Sequence, residues 1–222
     1  MKISSLSFDS RNIKKNSLYV AKKGIHLDGH DFIKKSIEKG AAAIVCNKLP
    51  EEVIEGITYI IVNNTSRALG ILASNFYDNP SEKLNLVGIT GTNGKTSLAF
   101  FLHQLFSSHS LKCGLISTIK IKYLDREFNS YNTTPDIITT NNLLYDMVKE
   151  GVNFCFMEVS SHGIAQDRIH GLSFKAGVFT NLTHDHLDYH GNFKNYRDTK
   201  KQFFDNLSDS AFALTNIDDK NG

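Results

Sequence analysis

The residues of this chain best suited to chemistry lie in the run Gly88-Ile89-Thr90-Gly91-Thr92-Asn93-Gly94-Lys95-Thr96-Ser97. Glycines let successive backbone N–H groups approach one anion, lysine adds a point charge, and the threonine after it can set a hydroxyl on Mg2+. The run therefore reads as a loop for a di- or triphosphate, with Gly91, Gly94, Lys95 and Thr96 as its working parts. It departs from the generic G-x-x-x-x-G-K-[ST], which wants glycine where Ile89 stands. Downstream, Glu158 ends an apolar run and is followed by Ser160-Ser161-His162. Beyond it, His184, His186, Asp188 and His190 alternate along the stretch 180–191. Carboxylate and imidazole are ligands for a metal that accompanies a nucleotide. A rival reading takes these histidines as the H-x-H-x-D-H of dinuclear metallohydrolases. Here Tyr189 separates Asp188 from His190, nothing supplies a third ligand set, and the phosphate loop would be idle, so nucleotide-dependent chemistry is preferred.

These groups need elements that bring them to one place. Residues 84–89 form an apolar run that reads as a strand, and 98–106 carry apolar residues at helical spacing, which is the strand, turn and helix that a phosphate loop requires. Before them, strands are expected at 17–21, 41–46 and 59–62 and helices at 31–39 and 65–77, with Thr65 as N-cap and Asn79-Pro80 as the stop. Polar residues 78–83 mark a boundary. After the loop come a strand at 113–118, a hairpin over 119–128, a helix from Thr134 (N-cap) and Pro135 to about Glu150, an apolar strand that delivers Glu158 and then a polar turn over 153–162, a strand at 174–179, a helix at 195–207 and a strand at 211–216. Strands alternating with helices imply a small α/β domain followed by a doubly wound, mainly parallel sheet. The ends of parallel strands share one edge, so the phosphate loop, Thr133-Thr134-Pro135, residues 158–162 and the His/Asp stretch are expected to gather in one cleft. Asp9-Ser10-Arg11 and the turn Gly24 to His30 read as capping and turn segments.

With 25 Lys plus Arg against 23 Asp plus Glu the net charge is +2, and no basic stripe favours nucleic acid or an anionic membrane. The first residues lack a signal-peptide core and no apolar stretch approaches the ~20 residues of a membrane span, so a cytoplasmic protein is expected. Cys46, Cys113 and Cys155 are far apart in apolar runs and read as buried, reduced thiols.

The chain resembles the Mur ligase family. The residues that carry the resemblance are Gly91-Thr92-Asn93-Gly94-Lys95-Thr96, Asn132-Thr133-Thr134-Pro135, Met157-Glu158-Val159-Ser160-Ser161-His162-Gly163, the stretch from Asn181 to Gly191, and Tyr196-x-x-x-Lys200. The phosphate loop is shared across that family and with folylpolyglutamate synthases. Ser160-Ser161-His162 and Asp188-Tyr189-His190-Gly191 are similar to the UDP-N-acetylmuramoyl-dipeptide:amino-acid ligases (tripeptide synthetases). The resemblance implies an ATP-dependent ligase that adds the third amino acid to UDP-MurNAc-L-Ala-D-Glu through an acyl phosphate, in peptidoglycan biosynthesis. It further implies a nucleotide-sugar-binding domain at 1–84 and an incomplete central ATP-binding domain at 85–222. A C-terminal domain that binds the amino acid is expected to be missing from this piece, which alone is therefore expected to be inactive, while either lysine or meso-diaminopimelate fits as the amino acid added.

Carried onto this chain, the resemblance implies that Gly91, Thr92, Asn93, Gly94, Lys95, Thr96 and Ser97 hold the ATP phosphates and that Thr96 and Glu158 bind Mg2+. A second Mg2+ is implied near His186 and Lys200, the lysine being carbamylated by CO2. Lys95, Glu158, His186 and Lys200 are the implied catalytic groups. The nucleotide sugar would meet Phe8, Ser10, Ile25, His26 and Leu27, then Asn132, Thr133 and Thr134, and finally Ser160, Gln166 and Arg168. Thr199 stands where the family often has alanine, and the turn 25–27 falls where relatives vary. A monomer is expected, with UDP-MurNAc-dipeptide and an amino acid as substrates and neither nucleic acid nor membrane as partner.

Overall fold

The computed structural model describes residues 2–24 and 27–222, so the expected contacts of Ile25 and His26 lie outside the described residues. The chain forms two compact units, 1–76 and 77–222.

In the first unit the strands β1 (Ser5–Ser7), β2 (Ser17–Val20), β3 (Ala41–Cys46) and β4 (Thr58–Ile61) make a parallel sheet in that order, with helices α1 (Ile33–Glu38) and α2 (Thr65–Phe76). Tyr19, Ile33, Ala41, Ile44 and Cys46 form its core. β1 is only three residues long, too short for its apolar pattern to register in the sequence. Asn64, rather than Thr65, caps α2, its Oδ1 accepting from the Arg67 N–H at 3.0 Å. The glycine-punctuated turn is held by His30, whose Nδ1 meets Asp28 Oδ1 at 2.6 Å while its Nε2 accepts from the Asn47 N–H at 3.0 Å. Asp9 caps the turn Ser10–Asn12 and pairs with Arg11 at 2.7 Å, which holds the Asp9 carboxyl below its usual range.

The second unit contains β5 (Asn85–Thr90), α3 (Lys95–Ser108), β6 (Cys113–Ile116), β7 (Lys120–Tyr123), β8 (Arg126–Asn129), α4 (Ile137–Lys149), β9 (Phe154–Glu158), α5 (Ser161–Ala165), β10 (Ala176–Phe179), α6 (Leu187–His190), α7 (Phe193–Asp205) and β11 (Phe212–Thr215). Its sheet order is β11-β10-β5-β9-β6-β7-β8, parallel from β11 to β6, with β7 antiparallel to both β6 and β8 at one edge. Side chains alternate across a strand, so each face needs a cover. Ile89, Leu115, Phe156 and Val178 pack with Ala99, Leu102 and Phe106 of α3. On the other face Leu86, Ile116 and Met157 pack with Leu144 and Met147 of α4 and Phe203 of α7. Helices on both faces make this the doubly wound α/β fold expected from the sequence. Gly88 is required in β5 because a Cβ there would stand 2.5 Å from the Phe203 ring.

Two local expectations are corrected. The units divide between Phe76 and Tyr77, earlier than residue 84, because the turn Pro80–Glu82 is held by the second unit. Ser81 Oγ accepts from the Ser173 N–H at 3.0 Å, and Leu84 joins the second core. Helix α4 starts after Asp136, whose Oδ1 accepts from the N–H groups of Ile138 and Thr139, both at 3.0 Å. Thr134 and Pro135 therefore precede the helix, and the Asp136 carboxylate already fills its N-terminus. All three cysteines are buried and free, and burial pushes their thiols up. Among the described residues no helix is long and apolar enough to cross a membrane.

Candidate functional site

The loop between β5 and α3 turns at Gly91, where φ is +148° and a Cβ would stand 1.9 Å from Thr180 Oγ1, so only glycine fits. The end of β10 braces it. The Thr92 N–H donates to Asn181 O at 2.8 Å, the Asn93 N–H donates to Asn181 Oδ1 at 3.0 Å, and Thr180 Oγ1 donates to Asn93 O at 2.7 Å. The N–H groups of Thr92 and Asn93 are thus taken up by the protein. Those of Lys95, Thr96 and Ser97 lie in the first turn of α3, where a helix leaves its donors without intrahelical partners. Gly94, at the N-cap with φ +82°, has no side chain to cap them. By contrast α4, α5 and α7 are capped by the side chains of Asp136, Ser160 and Asn192. An anion at α3 would meet open donors and the positive end of the helix dipole.

Two lysines converge on this loop. Lys95 Nζ folds back to donate to Gly91 O at 3.0 Å and Thr92 O at 2.9 Å. Burial pushes its ammonium below the ordinary range, opposed by the charges of Glu158 and Asp185. Lys200, on α7, is only 3% exposed and donates to Gly91 O at 2.8 Å. Burial, and then the charge of Lys95, push it down to about 7, with Asp185 opposing. Its neighbour Lys201 points to solvent and pairs with Asp205, one turn on. Glu158, fully buried at the end of β9, accepts from the Thr118 N–H at 2.8 Å and the Thr118 hydroxyl at 3.1 Å.

The His/Asp stretch folds over α7. His186 takes a left-handed conformation (φ +51°), and its ring lies 4.7 Å from that of His162 and 6.2 Å from Tyr196. His190 Nε2 is buried without a partner, and burial pushes both His190 and His162 below the usual histidine range. His184 instead packs on Phe193. Among the described residues no three His, Cys, Asp or Glu side chains converge as metal ligands, so nothing favours the metallohydrolase reading.

Next to Glu158, Thr134 is fully buried and donates to Glu158 O at 2.9 Å while accepting from the Ser160 N–H at 2.9 Å. Arg168 Nη1 donates to Thr134 O at 2.9 Å and Nη2 to Gln166 Oε1 at 2.6 Å, while Gln166 Nε2 donates to the Tyr189 hydroxyl at 3.3 Å. Thr133 Oγ1 lies 3.1 Å from Thr118 Oγ1, which has given its one proton to Glu158 and so accepts, and Asn132 is exposed nearby. The second unit thus joins Thr133, Thr134, Glu158, Ser160, Gln166 and Arg168 in one hydrogen-bonded group. In the first unit Phe8 is half-buried, Ser10 is buried with its carbonyl accepting from Lys39 Nζ at 2.9 Å, and Leu27 is 68% exposed. Sequence reasoning gave no role to Thr118, Asn181, Asp185 or Tyr196. The signal for the first two was available, since each follows the C-terminal end of a parallel strand.

A family profile described as the Mur ligase middle domain matches residues 89–222, and one described as the Mur ligase family catalytic domain matches 2–77. The chain is 54% identical over 221 residues to a UDP-N-acetylmuramoyl-L-alanyl-D-glutamate–2,6-diaminopimelate ligase of Phocaeicola vulgatus, covering 99% of this chain and 46% of that protein. Its counterpart of the same description in Bacteroides fragilis is 51% identical over 223 residues, covering 100% and 46%. A solved structure of a ligase of this description matches with a TM-score of 0.82 at 25% identity over 99% of this chain and 44% of that one. The fold of the MurF ligase of Thermotoga maritima, solved with ADP, matches with a TM-score of 0.61 at 20% identity, covering 98% and 47%. The chain spans about half the length of the curated relatives it matches.

Proposed function

Because this chain belongs to the Mur ligase family, we propose that it is part of an ATP-dependent ligase that adds the third amino acid to UDP-MurNAc-L-Ala-D-Glu in peptidoglycan synthesis. The names of its relatives favour 2,6-diaminopimelate as that amino acid. The observation that carries the reading is the buried Lys200 amine bonded to the carbonyl of Gly91 in the phosphate loop. A lysine desolvated beside a second cation serves no packing need, but it suits a site that must trade a proton for an anion.

When bound, ATP would supply the phosphoryl group that activates the substrate carboxylate as an acyl phosphate and Mg2+ the charge neutralisation, and the incoming amine would attack the acyl carbon and displace phosphate. The chain's own part is to bind and to neutralise. The open donors of Lys95, Thr96 and Ser97 would receive phosphate oxygens, and Lys95 would move its ammonium from the Gly91 and Thr92 carbonyls onto them. Thr96 and Glu158 would hold Mg2+, Thr118 keeping the carboxylate oriented. Lys200, pushed down to about 7 by burial and so partly in its neutral form near that pH, would attack CO2. An N–C bond would form as a C=O π bond of CO2 opens onto oxygen, one N–H proton would leave to solvent, and the neutral amine would become a carbamate whose two oxygens, with His186, suit a second Mg2+. Thr133, Thr134, Ser160, Gln166 and Arg168 would receive the dipeptidyl end of the substrate, and the first unit its nucleotide sugar. The same reading makes the enzyme a cytoplasmic monomer that uses neither nucleic acid nor membrane.

Titration calorimetry with Mg2+–ADP and with UDP-MurNAc-dipeptide, followed by an assay for amide product, tests this. Binding of both ligands by this chain without amide formation is expected. Zn2+-dependent hydrolysis with no affinity for adenine nucleotide would sink the proposal.

A further inference from the structure

Tyr196 joins the phosphate loop to the buried lysine. Its side chain is 1% exposed, and its oxygen lies 3.0 Å from Thr92 Oγ1. The direction of that bond follows from its neighbours. Thr92 Oγ1 accepts from the Thr183 N–H at 3.0 Å and donates its one proton to Thr183 O at 3.2 Å, so it must receive the proton of the phenol. Lys200 Nζ stands 4.9 Å from the centroid of the same tyrosine ring, whose other neighbours include His190 at 5.3 Å and His186 at 6.2 Å. Tyr196 and Lys200 lie one helical turn apart on α7 and bond to consecutive loop residues, Thr92 and Gly91. A shift of the loop is therefore felt at the amine through two adjacent points on one rigid helix.

We propose that Tyr196 is a positioning residue that couples occupancy of the phosphate loop to the placement of Lys200 and His186, its hydroxyl fixing the loop and its ring fixing the amine. The inference rests on the reading above, in which the loop takes nucleotide and Lys200 takes CO2. A tyrosine that merely filled space would need its ring alone. The hydroxyl, buried and aimed at the loop, is the part that links the two places.

Coupling between two ligands is reciprocal and can be measured from either side. With 13C-bicarbonate, the Lys200 carbamate resonance is followed with and without Mg2+–ADP, and ADP affinity is measured with and without bicarbonate. In the unaltered chain each ligand should change the affinity of the other by the same factor, about fivefold or more. Tyr196→Phe keeps the ring and removes the hydroxyl, so both ligands should still bind while that factor falls to about one. Thr92→Val cuts the same bond from the loop side, together with the Thr92 bonds to Thr183, and should likewise bring that factor to about one, and the double variant should lose no further coupling. Coupling that survives in Tyr196→Phe, or in Thr92→Val if the first variant does not fold, overturns the proposal. So do independent, multiplying effects of the two substitutions. A chain that binds no nucleotide or shows no carbamate before any substitution overturns the underlying functional reading and this coupling with it, and is distinguished by appearing in the unaltered protein.

Discussion

Lys200 sits where an ammonium is costly, and the cost should be visible in stability. Its folded value lies at about 7 against an ordinary 10.5. Between those values the unfolded chain holds a proton that the folded chain has released, so this group makes stability rise with pH through that window. Below about 7 the penalty is present in full, and above the ordinary value it vanishes. Lys200→Met, uncharged and of similar length, should therefore melt higher than the parent at pH 6 in CO2-free buffer, by about 2–4 °C for each kcal/mol relieved. The advantage should shrink toward pH 10. A parent no less stable than the variant at pH 6 would show that the amine is not desolvated. Lys201→Ala should change neither stability nor the carbamate signal measurably, since an exposed i, i+4 pair is worth about 0.3–0.5 kcal/mol.

Helix ends assign different tasks to α3 and α4. Both begin beside the C-terminal edge of the sheet, but Asp136 closes the N-terminus of α4 while Gly94 leaves that of α3 open. Asp136→Ala should lower stability by about 1 kcal/mol, the ordinary value of a cap, with no change in Mg2+–ADP affinity. Differential scanning calorimetry and titration on the same sample check both halves. A marked loss of nucleotide affinity would mean that α4 takes part in the anion site. At this scale Gly163 also matters. A Cβ there would lie 2.8 Å from Thr134 Cβ and Cγ2, so the α5 turn can seat Thr134 against Glu158 only because residue 163 is glycine.

For the whole molecule, the two units carry separable parts of the proposed reaction. The phosphate loop lies in 77–222, whereas the function proposed above gives much of the nucleotide-sugar binding to the first unit. In an enzyme of the relatives' full length, Lys95→Ala should then reduce turnover by about a hundredfold or more, the scale of losing a preorganised charge from a transition state. Affinity for UDP-MurNAc-dipeptide, measured by titration, should change little. Equal losses in both quantities would show that Lys95 acts on ground-state binding or on folding.

The sequence by itself determined the doubly wound fold and the place of the phosphate loop between β5 and α3, because apolar periodicity and the glycine spacing act within a few residues of one another. It determined too that chemistry-bearing residues would follow strand ends, since parallel strands carry their C-terminal ends to one edge. Which of two adjacent lysines is buried was decided only by tertiary structure. Lys200 and Lys201 are locally alike, and they differ because one side chain of α7 meets Gly91, 109 residues earlier, while the other meets water. The cap of α4 moved from Thr134 to Asp136 for the same kind of reason, the Thr134 hydroxyl finding Glu158 O and Ser160 across the sheet edge. The Tyr196–Thr92 bond spans 104 residues. Such pairings depend on which surfaces the folded layers bring face to face, and no local pattern encodes that.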